Sequence, residues 1–259
     1  MKRNDRILIF FDLLGFATLT EQWPRRIVHR RRGHLRLRGT SEASNQLGTF
    51  HSIIEQTILQ FTRMTPHITA MSFSDCGFVE IGNPLLSATF AVALMQHFVR
   101  AGIPVRMGMA TGTFWRGRQS SDTFGQTSIN RAIFYGTAIV RAHQAEQCGL
   151  SGMRIFLDET LESVFSRVDY RFKVLRLKQK RRRVVAELSY LYVEDAYVDV
   201  NHAPPEDDDQ ALWNVFIAMR AGVSRKAPKR VQQHYIQTAT ALNTMRQAVG
   251  RPRFRWPRP

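Results

Sequence analysis

Apolar positions recur along the chain with two spacings, and the alternation between them sets out the elements. Residues 6–12 (RILIFFD) form a short unbroken apolar run closed by an acid, the pattern of a strand buried on both faces. From Ala43 to Thr62 the apolar residues Leu47, Phe50, Ile54, Ile58 and Phe61 return at helical spacing. His67–Phe73 and Gly77–Ile81 predict two strands joined by a tight turn at Ser74-Asp75-Cys76, residue types that turns favour. Pro84–Ala101 predicts a helix opened by proline and stopped by Gly102, and Val105–Thr113 predicts the strand after it. The order is βαββαβ, so the expected class is α+β with a ferredoxin-like core.

Beyond the core, Tyr135–Gln147 predicts a helix, and Met153–Leu157, Tyr170–Leu177 and Val184–Val193 predict strands. The acidic, Pro-rich stretch 203–209 (APPEDDD) breaks the pattern. Two amphipathic helices follow, Gln210–Ala221 and Lys229–Val249, each stopped by a glycine. Their apolar stripes (Leu212, Val215, Phe216, Met219; Val231, Tyr235, Leu242, Met245) are expected to pack on the parent domain. Residues 1–200 therefore read as the core domain and 201–259 as a helical appendage with a basic tail.

Composition changes the picture in one respect. With 44% hydrophobic residues over 259, the chain is too apolar for a charge-dominated disordered protein. Yet 37 Lys and Arg face 21 Asp and Glu, a net charge of +16. Seven of the cations are arginines between Arg25 and Arg38, five lie in Lys178–Arg183 and five in Arg246–Arg258. Such runs are solvated loops or fields that concentrate anionic ligands. The first run is read as a small hairpin turning at Arg32-Gly33. No apolar stretch approaches the roughly 18 residues of a membrane span, and the amino-terminal apolar run meets Asp12 too early for a signal peptide. A cytoplasmic protein without membrane contact is expected. Cys76 and Cys148 form no CxxC pair, which removes zinc ribbons and disulfide frameworks.

Chemistry concentrates on two acids. Asp12 ends the first strand and Asp75 lies in the hairpin turn, and on neighbouring strands of a βαββ unit the two converge. Paired carboxylates beside a main-chain carbonyl suit Mg²⁺ or Mn²⁺ and the phosphoryl chemistry such ions assist. Taken singly, Asp12 also suits a helix cap and Asp75 an ordinary turn.

Four motifs in order carry a resemblance: F-x-D-x-x-G-F at Phe10–Phe16, Ser74-Asp75 in a hairpin, VRMGMATG at Val105–Gly112 and FYGTAIVRAHQAE at Phe134–Glu146. Over about residues 6–195 the chain resembles the class III nucleotidyl cyclase catalytic domain. The resemblance implies that core, and attack by the 3′-hydroxyl of a nucleoside triphosphate on its own α-phosphate, with loss of pyrophosphate. It also implies a pair of Mn²⁺ (or Mg²⁺) ions held by Asp12, the carbonyl of Leu13 and Asp75, and a homodimer with composite sites at its interface. Lys178 falls where the family's strand reaches the triphosphate, and Arg106 on the strand beside the hairpin is the second expected substrate contact.

The departures narrow the expectation. Where purine-specific members carry polar residues that read the base, this chain has Met71 and Ile133. Where the family's helix carries its transition-state Asn and Arg, it has Val140 and Gln144, with Arg141 adjacent as a catalytic substitute or an ordinary helix-surface cation. With these differences the chain looks like the pyrimidine cyclases of the bacterial Pycsar antiphage system. That likeness implies uridylate cyclase activity on UTP, with CTP as the alternative, and a cyclic nucleotide that reaches a separate effector. A non-catalytic nucleotide or nucleic-acid binding module of the same fold is the reading from another class, although a nucleic-acid partner is not favoured. His97 and His143 stand alone on their helices and are read as packing or surface residues.

Overall fold

The computed structural model describes residues 5–16, 29–31, 34–36, 42–65, 67–123, 127–165, 172–193, 207–223 and 228–255. Strand β1 (Asp5–Leu13) is followed by the short pair β2 (His29–Arg31) and β3 (His34–Arg36), then helix α1 (Glu42–Thr62). Next come β4 (Ile68–Ser72), β5 (Cys76–Ile81), α2 (Pro84–Arg100) and β6 (Val105–Thr113). These elements sit within a residue or two of their expected places. Cys76 pairs within β5 and leaves the turn, while Arg32 and Gly33 lie outside the described residues.

The first four sheet strands run β4-β5-β1-β6, the ferredoxin arrangement, with β1 antiparallel to both neighbours. Three more strands extend the same sheet past β6: β9 (Ile155–Asp158), parallel to β6, then β11 (Val184–Val193) and β10 (Phe172–Arg181). Strand β1 is apolar on both faces because both are covered. Ile7, Ile9, Phe11 and Leu13 enter the large core under α1 and α2, and Leu8 enters a smaller one with Phe78, Ala110, Ala138 and Ala142.

A separate antiparallel ribbon, β7 (Trp115–Thr123) with β8 (Thr127–Tyr135), precedes helix α3 (Thr137–Glu146). The sequence pattern missed it: WRGRQSSDT offers no apolar alternation. It also shortens the helix expected from Tyr135, since Tyr135 ends β8 and Gly136 turns the chain at φ 144°. A Cβ there would stand 2.1 Å from the Thr113 carbonyl oxygen, so the corner requires glycine.

After the short helix α4 (Glu162–Phe165), helices α5 (Asp207–Gly222) and α6 (Lys229–Ala248) close on the parent core as their stripes predict. Leu212, Trp213, Phe216, Leu242 and Met245 are buried in the same cluster as Ile9 and Phe98. Phe254 stacks on Trp213 with ring centroids 4.6 Å apart. No helix among the described residues is long and apolar enough to cross a membrane.

Candidate active site

The sheet register brings the two acids together. Asp12 stands opposite Cys76 on one side and Arg106 on the other. The Leu13 N–H donates to the Asp75 carbonyl at 2.8 Å, which ties the end of β1 to the β4–β5 turn. Across that turn the Phe73 N–H donates to the Cys76 carbonyl at 2.7 Å, and the Ser74 hydroxyl donates to Asp75 Oδ1 at 2.7 Å. The Leu13 side chain is buried in the core, so only its main chain is left for a ligand.

The Asp12 carboxylate has no hydrogen-bond or ion-pair partner among the described residues. Burial, then the charges of Glu146 and Asp75, push its carboxyl from 3.8 up to about 7, and Arg106 opposes them only in part. Cys76, across the strand pair, is pushed up to about 11 by burial and by Asp12, Asp75 and Glu146, so it stays a thiol. Such a site repels its own negative charge, and a hard, oxygen-seeking divalent cation would turn that repulsion into attraction. The residues therefore fit Mg²⁺ or Mn²⁺. Among the described residues no three His, Cys, Asp or Glu side chains gather to hold an ion. A site here rests on two carboxylates and main-chain oxygen.

The other expected residues are placed as follows. Arg106 pairs with Glu146, its Nε donating to Oε1 at 2.5 Å, and its Nη1 donates to the Leu150 carbonyl at 3.2 Å. Glu146 is wholly buried at the end of α3 and also accepts from Gln147. Arg141 folds back onto β6, its Nη1 donating to the Thr111 carbonyl at 3.0 Å. Val140 is 56% exposed and Gln144 is exposed, so both face away from the sheet. Lys178 lies on β10, with its side chain outside the described residues. Met71 packs on the Leu8, Phe78 and Ala110 cluster together with Phe114 and Phe134, and Ile133 is partly exposed on the ribbon.

His143 meets Phe10 edge-on at 4.9 Å, and His97 Nδ1 shares a hydrogen bond with the Thr57 hydroxyl at 2.9 Å, both packing roles. Glu146 and His51 gained no role from sequence reasoning. For Glu146 the signal was an acid on the buried stripe Ala138, Ala142, Ala145. The position of His51 on α1 gives no sign that it meets the turn.

No protein-family profile matches the sequence, and no curated protein matches it. Solved structures do. The chain is similar to the guanylyl cyclase Cya2, with a TM-score of 0.52 and 14% identity, covering 74% of this chain and 94% of that one. It is similar to a bacterial light-regulated adenylyl cyclase (TM-score 0.50, 13% identity, 82% and 97% covered). It is also similar to an adenylate cyclase from Trypanosoma brucei in its monomeric state (TM-score 0.50, 13% identity, 76% and 92% covered). The fold is that of class III nucleotidyl cyclase catalytic domains.

Proposed function

We propose that the protein is a uridylate cyclase, converting UTP to 3′,5′-cyclic UMP and pyrophosphate. The observation that carries the reading is the convergence of Asp12 and Asp75 at one end of β1, with an apolar Met71 where a purine-reading side chain is expected. In the reaction the 3′-oxygen bonds to the α-phosphorus, the bond from that phosphorus to the pyrophosphate oxygen breaks, and pyrophosphate leaves with the electron pair. The hydroxyl proton passes to solvent. Bound Mn²⁺ or Mg²⁺ supplies charge neutralisation on the phosphates and acidifies the attacking hydroxyl.

Asp12, Asp75 and the Leu13 carbonyl hold the ions. Lys178 and Arg106 take the triphosphate, and Arg141 the charge that builds in the transition state. As placed, Arg106 is engaged with Glu146 and Arg141 with Thr111, so each acts only by exchanging that contact for phosphate. A homodimer with composite sites is supported by exposed apolar side chains: Phe73 two residues from Asp75, the stacked Trp115 and Tyr135 on the ribbon, and Val140 on α3 are each at least half exposed. The antiphage role, with the product acting on a separate effector, follows from the likeness to the pyrimidine cyclases.

The test is incubation with Mn²⁺ and each of ATP, GTP, CTP and UTP, with products read by mass spectrometry. Cyclic UMP is expected, and Asp12→Ala abolishes it while the protein keeps its circular dichroism spectrum. Cyclic CMP instead transfers the reading to cytidylate cyclase, and a cyclic purine refutes pyrimidine specificity. The exposed Val140 and Gln144 favour a second reading, a nucleotide-binding module without turnover. Saturable UTP binding with no pyrophosphate released from any triphosphate establishes that one.

A further inference from the structure

Asp75 sits on a turn at the edge of the sheet. Strand β4 has a neighbour on one side only among the described residues, Phe73 is 51% exposed and Ser74 is exposed. The main-chain bonds that hold the turn, from Phe73 to Cys76 and from Leu13 to Asp75, all lie within the sheet. From the helix side the turn is met by α1. His51, on α1, places Nδ1 3.2 Å from the Ser72 hydroxyl and Nε2 3.1 Å from the Ser74 carbonyl.

These partners fix the roles of the ring. A carbonyl only accepts, so Nε2 carries the proton and donates to Ser74. In the neutral ring Nδ1 then accepts from the Ser72 hydroxyl. The helix beneath is anchored: Phe50, Ile53, Ile54 and Phe61 are in the core, and Phe50 meets the His51 ring edge-on at 5.3 Å. The residue clasped through its carbonyl is the one whose hydroxyl donates to Asp75 Oδ1.

Resting on the two-carboxylate reading of the site, we propose that His51 is the positioning residue of the Asp75 turn, setting the carboxylate for a divalent cation by clasping Ser72 and Ser74 to α1. Residues that orient metal ligands through one hydrogen bond typically change metal affinity by about 10–100-fold when replaced. A short polar side chain discriminates between the two contacts. The amide nitrogen of glutamine extends to about where Nε2 stands and restores the bond to Ser74, whereas asparagine reaches only the Ser72 side.

Mn²⁺ binding by the full chain, without nucleotide, is measured from the electron paramagnetic resonance signal of the free ion, and melting temperature is recorded in parallel. The wild type is compared with His51→Gln, His51→Asn and Asp75→Ala. The expected result is near-native affinity in His51→Gln, loss of about 10–100-fold in His51→Asn, and no binding in Asp75→Ala. A purely structural role predicts that both His51 variants lose melting temperature together with Mn²⁺ affinity unsplit, and that overturns the proposal. So does native affinity in His51→Asn while Asp75→Ala binds nothing. Native affinity in Asp75→Ala overturns the two-carboxylate reading itself, and the role of His51 with it.

Discussion

A carboxyl group that loses water to burial and gains two acidic neighbours holds its proton far above the range of a free one, and Asp12 is in that position. The sign of the consequence for stability is fixed. In the unfolded chain the group ionises near 3.8 and in the folded chain near 7, so a rise in pH between those values takes stability away. In metal-free protein, Asp12→Asn is therefore expected to raise the melting temperature at pH 8 and to change it little at pH 4, as read by differential scanning calorimetry. An equal gain at both pH values would disprove the electrostatic account. Asp12 and Asp75 were legible in the sequence because each stands where an apolar run stops. The groups around them were not. Glu146 is sixty or more residues from either acid, and only the register of β6 with β1, and the seat of α3 on β6, make it their neighbour.

The seat of α3 depends on an absence. A Cβ at Gly108 would lie 2.1 Å from the Ala142 carbonyl oxygen and 2.4 Å from the Glu146 nitrogen, both of them helix backbone that has no room to give. Gly108→Ala is expected to lift α3 from β6 and to lower stability by about 1–3 kcal/mol, the usual cost of forcing atoms into a packed interior. Chemical denaturation measures it, and an unchanged midpoint would show that the helix can slide. Elements with a buried face were readable, since α1, α2 and β11 carry apolar positions at the period of their backbone. The β7–β8 ribbon was not, because its first strand, WRGRQSSDT, carries no apolar residues at a spacing of two.

At the scale of the molecule, the helices that the sequence sets apart by an acidic break belong to the same interior as the strands of the main sheet. Gly152 and Met153, beside β9, donate their main-chain N–H groups to His234 Nδ1 and to the Thr238 hydroxyl of α6, at 3.0 and 2.8 Å. Burial and nearby Arg106 and Arg230 lower His234 to about 4, so it accepts that bond as a neutral ring near pH 7. Leu242→Ala is accordingly expected to cost about 2–5 kcal/mol, as a core leucine does, and to shift one cooperative unfolding transition. Two separated transitions, with only one of them moved, would show that the appendage melts by itself. The break at residues 203–209 was visible in composition, but composition does not report what a helix covers once the chain returns.

The position of β1 has a further meaning, in time. It is synthesised before both of its partners and lies inside the sheet, between β5 and β6. Its partner on one side is made about 65 residues later and on the other about 95, and the helix that closes the core comes after residue 228. A strand apolar on both faces thus leaves the ribosome before either partner exists and waits unpaired while they are made. Folding governed by contacts so distant in sequence is slow, and the nascent chain depends over that interval on whatever shields RILIFFD from other chains.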